Sequence, residues 1–232
     1  MSVDDKTTDR LFSKLDHGAR QLDLPLQESQ IELLVDFIRL VSKWNRVYNL
    51  TAIRDMDDMV GRHILDSLSV LRWLPKAVDG SKSNATSLSD VLDVGSGAGL
   101  PVIPLAIVRP DLTFLSVESN GKKTRFQHQA VLELGLDNVR IKQERIEDTK
   151  DLASIVISRA FSAPEKFIHA VEKNCVPESR VFIMLGQKDR MPESLPYNFK
   201  LSELVEIDVP QCDAVRHVAV CSRVTNAVGE RS

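Results

Sequence analysis

Apolar residues in the first third of the chain recur at helical intervals. Leu33, Phe37, Leu40, Trp44 and Val47 stand four, three, four and three positions apart, which predicts one face of a helix. A second helical stretch is expected over residues 63–74, with Ile64, Leu68, Leu71 and Trp73 as its apolar positions. Residues 79–89, "DGSKSNATSLS", break the pattern with a polar run that reads as a linker or long loop. From Asp90 onward, short apolar runs alternate with helical segments. Strands are expected at 91–94, 113–117, 139–142, 154–157 and 181–185, and helices at 100–108, 122–134 and 164–173. Continuous apolar strands separated by helices predict a mainly parallel sheet covered on both faces. Residues 199–209 and 216–221 alternate more and suit antiparallel pairing at one edge. The expected organisation is therefore α/β: a helical extension over 1–78, a linker over 79–89 and the sheet domain over 90–232.

Composition changes this picture little. The chain has 232 residues, 43% of them hydrophobic, and a net charge of −3. That charge argues against non-specific wrapping of nucleic acid but leaves room for a local basic face. The three cysteines, Cys175, Cys212 and Cys221, form no CxxC pair and read as reduced thiols. The five histidines are scattered, so no metal site is expected. Residues 1–20 lack a cationic start followed by an apolar segment, and no signal peptide is expected. The longest apolar run, 100–108, contains two prolines and is too short to cross a bilayer. A cytoplasmic location is the resulting expectation, and the lack of a coiled-coil seam makes a monomer the expected state.

Chemistry concentrates first at "VLDVGSGAGLP", residues 91–101, which runs out of a strand into a helix. Gly95, Gly97 and Gly99 let the backbone approach a ligand closely. Glu118 ends the next strand, 21 positions after Gly97, where a carboxylate can accept both hydroxyls of a ribose. Dinucleotide turns are spaced GxGxxG and present pyrophosphate to a helix N-terminus. Here the spacing is GxGxG, and Asp93 precedes the first glycine by two. A carboxylate there repels pyrophosphate and suits the ammonium of S-adenosylmethionine (SAM), so SAM is favoured over NAD. The arrangement resembles the first motif of Rossmann-like SAM-dependent methyltransferases. In such enzymes the loop after the third strand covers the adenine, which makes Ile146 and Glu147 of "ERIED" (144–148) candidates. A plain tight turn, a solvated glutamate and a charged surface loop are the bland alternatives, and the three features together weigh against them.

The residues after the fourth strand narrow the acceptor. "ISRAF", residues 157–161, has neither the Asp/Asn-Pro-Pro-aromatic motif of adenine amino-group methylation nor the Pro-Cys pair of pyrimidine carbon methylation. An acceptor with an available lone pair needs no base, and guanine N7 is such an atom. Catalysis then consists of in-line positioning and accommodation of a cationic product. Arg159 is a candidate for the SAM carboxylate or an RNA phosphate. A bidentate grip on guanine O6 and N7 is ruled out for it, because N7 is the nucleophile; a capping or surface ion pair is the alternative.

From about residue 11 to 220 the chain resembles the small-subunit rRNA guanine-N7 methyltransferases, the RsmG or GidB family. The resemblance rests on "KWNRVYNLTAIRD" (43–55), "RHILDSL" (62–68), "LDVGSGAGLPVIPLAIVRP" (92–110), "NGKKTRF" (120–126), "ISRAF" and "RHVAV" (216–220). It implies a seven-stranded Rossmann-like sheet with an antiparallel edge. It further implies methylation of guanine 527 of 16S rRNA, with the rRNA or a small-subunit intermediate as partner. Cofactor contacts implied by it are Gly95, Leu100, Ile146, Glu147 and Arg159, beside Asp93, Gly97, Gly99 and Glu118 from the turn itself. Two departures stand out. Val102 replaces the family's usual glycine, where it either narrows the pocket mouth or packs the helix. Leu185 replaces a lysine, with Lys188 as a possible substitute.

For the RNA face, Arg39, Lys43, Arg46, Arg54 and Arg62 supply five cations against Asp55, Asp57 and Asp58. Lys122, Lys123 and Arg125 open a helix, where cations oppose the helix dipole and are poorly placed for stability alone. Both clusters are expected to contact phosphate. Arg216 and His217 border the RNA path on resemblance only. His63 and Asp66, three apart on one helix face, with Asn49 either form the pocket's rim or tie the N-terminal helices to the catalytic domain, and the structural tie is favoured. Two rival functions keep the same fold: a small-molecule methyltransferase and a non-catalytic RNA-binding protein.

Overall fold

The computed structural model describes residues 3–75, 88–159, 163–186 and 191–223. Most of the expected linker, Lys188, and Ala160 and Phe161 of "ISRAF" lie outside the described residues. The N-terminal third forms α1 (Val3–Gln21), α2 (Glu28–Tyr48) and the short α3 (Met56–Met59). The expected helix at 63–74 is instead three short pieces. A π-helix, Val60–Leu65, runs into α4 (Asp66–Leu68), and a 3-10 turn comes next at Leu71–Trp73. Periodicity near 3.6 does not separate these helix types, and runs of π-helix are rare enough to be a poor prior.

The second half contains β1 (Leu88–Val94), α5 (Val102–Val108), β2 (Phe114–Val117), α6 (Gly121–Glu133), β3 (Val139–Lys142) and β4 (Leu152–Ser158). It ends with α7 (Pro164–Val171), β5 (Cys175–Leu185), β6 (Phe199–Ile207) and β7 (Arg216–Arg223). β1 begins at Leu88, so the last two residues of the expected linker belong to the sheet. The seven strands lie in the order β3-β2-β1-β4-β5-β7-β6. All neighbours are parallel except β7, which runs antiparallel to both β5 and β6. The order reverses beside β1, and ligands of open α/β sheets bind at that switch point, beyond the carboxyl ends of the strands.

The first face of the sheet is covered by α5, α6 and the N-terminal helices in one continuous cluster. Ile31, Leu34, Phe37, Ile38 and Val41 of α2 pack with Ile103, Phe126 and Val91. Phe126 of α6 lies 6.3 Å from Phe37 and edge-on to Trp44 at 5.7 Å. The expected stripe on α2 is too narrow and runs off the core at its end: Val47 is 72% exposed. On the opposite face Phe167, Ile168 and Val171 of α7 cover Leu92, Leu115 and Val156. Val102 is fully buried in the first cluster, so it packs the helix and does not narrow a pocket mouth.

Candidate active site

β1 delivers its last residues to the switch point, and the turn beyond it is held from three sides. Gly95, Gly97 and Gly99 have φ of 72°, 59° and 75°. At Gly95 a Cβ would meet nothing within 4 Å, so this backbone faces open space. The Gly97 amide donates to Glu118 Oε2 at 2.9 Å, and Glu118 Oε1 accepts from the Asn120 amide at 2.8 Å. Gln127 Nε2 donates to the Gly97 carbonyl at 2.8 Å from the fully buried face of α6. The turn is therefore fixed before any ligand arrives, as preorganised binding requires.

Asp93 lies beneath the turn with no exposed surface. Its Oδ2 accepts from the Val102 amide at 3.2 Å, while Oδ1 makes no hydrogen bond. Burial pushes its pKa up to about 8. An orphaned carboxylate oxygen at full burial is costly unless something arrives to satisfy it.

Two small cavities meet at Gly95. One, of about 160 Å³, lies between Val117, Glu118 and the loop carrying Ile146 and Glu147. The other, of about 170 Å³, lies between the turn, Leu100, Thr51, Lys123 and Arg159. Thr51 is placed by Asn45, whose Oδ1 accepts from the Thr51 amide at 2.9 Å and whose Nδ2 donates to the Ile53 carbonyl at 3.1 Å. The pair suits an elongated ligand with a nucleoside at one end and a charged amino-acid moiety at the other. The donor set agrees: a carboxylate at the strand end, backbone at the glycine turn and an arginine opposite.

Arg159, at the end of β4, closes one wall of a third cavity of about 500 Å³. Its Nη1 donates to the Arg62 carbonyl at 2.9 Å and to Asp66 Oδ2 at 3.0 Å. Asp66 Oδ1 accepts from Arg216 Nε at 3.2 Å, so one buried carboxylate holds two guanidiniums from distant strand ends. His63 lines the same cavity. Its Nδ1 lies 3.0 Å from the Arg62 carbonyl, which can only accept, so Nδ1 carries the proton and Nε2 accepts from the Thr51 hydroxyl at 2.9 Å. Burial first, then the Arg159 charge, lowers its pKa to about 4.

The sequence-derived residues thus divide. Gly95, Gly97, Leu100, Glu118, Ile146, Glu147 and Arg159 converge around the two cavities, Asp93 lies buried beneath the turn and lines neither, and Gly99 completes the turn. Lys123, expected on the RNA face, lines the cavity by the turn, whereas Lys122, Arg125 and Arg46 are exposed. Asn120 satisfies the start of α6, its side chain accepting from the amides of Lys122 and Lys123 at 3.0 and 3.4 Å. Arg62 reaches Asp213 at 3.4 Å, and Arg216 points inward to Asp66. His217 does not border a surface path. It is buried between β5 and β6, with Nε2 3.5 Å from Glu206 Oε2 and no hydrogen bond at either nitrogen. Strand alternation places His217 opposite to its neighbour Arg216, a period-two distinction that a motif does not carry. Thr51, Asn45 and Gln127 escape a reading of the sequence. Asn45 and Thr51 lie inside "KWNRVYNLTAIRD", but only the fold shows what they hold.

Residues 30–219 match the family described as rRNA small subunit methyltransferase G, GidB. The chain belongs to this family. Curated relatives of that name include one from Nitrosococcus oceani, 40% identical over 210 residues, covering 88% of this chain and 91% of the relative. One from Pseudomonas fluorescens is 40% identical over 222 residues and covers 94% and 98%. Among solved structures, a SAM-dependent methyltransferase from Aquifex aeolicus is 17% identical with a TM-score of 0.50, covering 69% of this chain and 91% of its own. TrmN from Thermus thermophilus is 14% identical with a TM-score of 0.52, covering 78% and 53%. These likenesses concern the fold, a Rossmann-like methyltransferase sheet. For a member of the rRNA small subunit methyltransferase G family, buried Asp66 and the partly exposed Arg159 and Arg216 form a polar cluster that lines a large cavity beside the glycine turn. Among the described residues no cluster of metal-ligating side chains occurs, and no helix is long and apolar enough to cross a membrane.

Proposed function

We propose that the protein methylates N7 of a single guanine, guanine 527, in the 16S rRNA of the small ribosomal subunit, without a general base. The cofactor is SAM, which supplies an electrophilic methyl on a sulfonium and departs as a neutral thioether. In this reading Asp93 Oδ1 accepts from the ligand's ammonium, and a cation there draws the carboxyl into its ionised form. Glu118 accepts the ribose hydroxyls with the lone pairs that Gly97 and Asn120 leave free. Ile146 and Glu147 border the adenine, and Arg159 faces the carboxylate. Guanine N7 offers its lone pair in line with the methyl–sulfur bond; as the new bond forms and the old one breaks, the positive charge passes to the purine.

The observation that carries the base-free mechanism is the state of the large cavity. His63 is neutral at physiological pH, yet its only lone pair is occupied by the Thr51 hydroxyl. Asp66 already accepts one N–H on each oxygen, from Arg159 Nη1 at Oδ2 and from Arg216 Nε at Oδ1. Among the described residues that line the cavity, both His63 and Asp66 are already committed to partners, whereas N7 needs no proton acceptor. Exposed Arg46, Lys122 and Arg125, with the half-buried Arg62, then serve the RNA backbone, where each phosphate contact adds roughly 0.7–0.9 to the salt slope of binding. The test is to supply methyl-labelled SAM and unmodified small subunits and to map the labelled nucleoside. Label on 7-methylguanosine at one position is expected; label on a base carbon, a ribose or protein refutes the reading.

A further inference from the structure

The cavity of about 500 Å³ contains more machinery than cofactor binding explains. Arg159 suffices to face a carboxylate, yet Asp66 draws in a second arginine, Arg216, from the start of β7. The three charged side chains come from three elements and share one pocket. Ile53, Met184 and Leu185 add apolar wall, the mixture typical of a pocket for a flat, polar-edged ligand. Each Asp66 oxygen is engaged by one N–H and carries a second acceptor site. Both guanidiniums likewise have N–H groups beyond the ones used on Asp66.

We infer that this cavity is the acceptor-base pocket and that Asp66 reads the Watson–Crick edge of guanine. The inference rests on the guanine-N7 reading above. Guanine offers two adjacent donors, N1–H and the exocyclic amine, to the two oxygens of Asp66, and O6 accepts from the neighbouring guanidinium. With its Watson–Crick edge so held, the base presents N7 from the opposite side of O6, toward Arg159 and the glycine turn. Adenine brings a bare N1 lone pair against a carboxylate oxygen, and a site built for a donor rejects a group lacking it. Asp66 also offsets one of two positive charges around a purine that turns cationic. It thus acts as a specificity and positioning residue and exchanges no proton. Arg159 joins the two ligands, lining both this cavity and the one at the turn.

The test is a double cycle on methyl transfer, with small subunits reconstituted from 16S rRNA carrying guanine or inosine at the modified position. Inosine lacks only the exocyclic amine. Wild-type enzyme is expected to lose roughly 10-fold or more in kcat/KM on inosine, since an unpaired buried polar group costs about 1–3 kcal/mol. Asp66→Asn should lose at least as much on guanine but show little further loss on inosine, because the partner is already missing. A structural Asp66 predicts losses that multiply, and that result overturns the assignment. Equal wild-type rates on the two subunits overturn it without any variant, so the test survives if Asp66→Asn fails to fold. The guanine-N7 reading fails separately: wild-type enzyme would then place no label on N7 of guanine-containing subunits.

Discussion

Asp93 has one oxygen bound to the Val102 amide, one bound to nothing, and a pKa raised to about 8 by burial. Its folded-state pKa exceeds the ordinary 3.8, so the folded protein holds a proton that the unfolded chain has released over the interval between. Stability from this group therefore falls as pH rises from about 4 to about 8, with a slope of up to about 1.4 kcal/mol per pH unit. His63 acts oppositely: its pKa is lowered to about 4, so its contribution is complete above about 6.5 and lost as pH falls toward 4. Between pH 6.5 and 8 only Asp93 of these two titrates in the folded state. Denaturant melts should show Asp93→Asn flattening the decline there, with saturating SAM opposing it in the wild type; parallel curves for the two proteins refute the role. Arg159 makes a different prediction, because it faces the turn and the larger cavity alike. Arg159→Ala should weaken SAM binding roughly 10- to 100-fold, the scale of a charged hydrogen bond, and weaken RNA binding less. Calorimetry with SAM beside filter binding of rRNA checks the order, and the reverse order moves Arg159 to the RNA side.

The elements that position these residues are unequally legible in the sequence. The strands that carry Asp93, Glu118 and Arg159 are short apolar runs bounded by glycine or charge, and their buried faces leave no other assignment. The periodicity of the segment bearing His63 and Asp66 predicts a regular helix, and their three-residue spacing a tie between layers. The structure inserts a π-helix there, which turns the Arg62 carbonyl toward Arg159 and sets His63 against Thr51. Gly61 within it packs against a segment distant in the chain: a Cβ on Gly61 would stand 2.2 Å from the Gln211 carbonyl oxygen. No local pattern contains the information that residue 211 comes so close. Gly61→Ala must separate two backbones, and overpacking of this kind costs about 1–3 kcal/mol. Because Arg62 and His63 on one side and Asp213 and Ala214 on the other wall the large cavity, methyl transfer should fall while SAM affinity stays near the wild-type value. A variant equally impaired in both would show that the two sites are mechanically one.

At the scale of the whole molecule, the polar run at 79–89 suggests a helical appendage joined to a catalytic domain. The two segments share one apolar cluster. Leu34, Phe37, Ile38 and Val41 of α2 belong to the same apolar cluster as Ile103, Phe126 and Ile155 of the sheet half. A linker signals that the chain is locally uncommitted; it says nothing about whether the flanking segments bury surface against each other. The N-terminal helices form one covering layer of the sheet and bring Thr51, His63 and Asp66 to its carboxyl edge, so the large cavity requires both halves. Phe126→Ala tests the point, since its ring sits between Phe37 and Trp44 while its backbone belongs to α6. Emptying that position should cost about 3–5 kcal/mol. Fluorescence of the two tryptophans, Trp44 and Trp73, and the far-ultraviolet dichroism of the whole chain should still melt in one coincident transition, shifted together to lower denaturant. Two separated transitions would restore an independent N-terminal domain. The cavity would then assemble by docking, and methyl transfer would be lost at denaturant concentrations where the sheet remains intact.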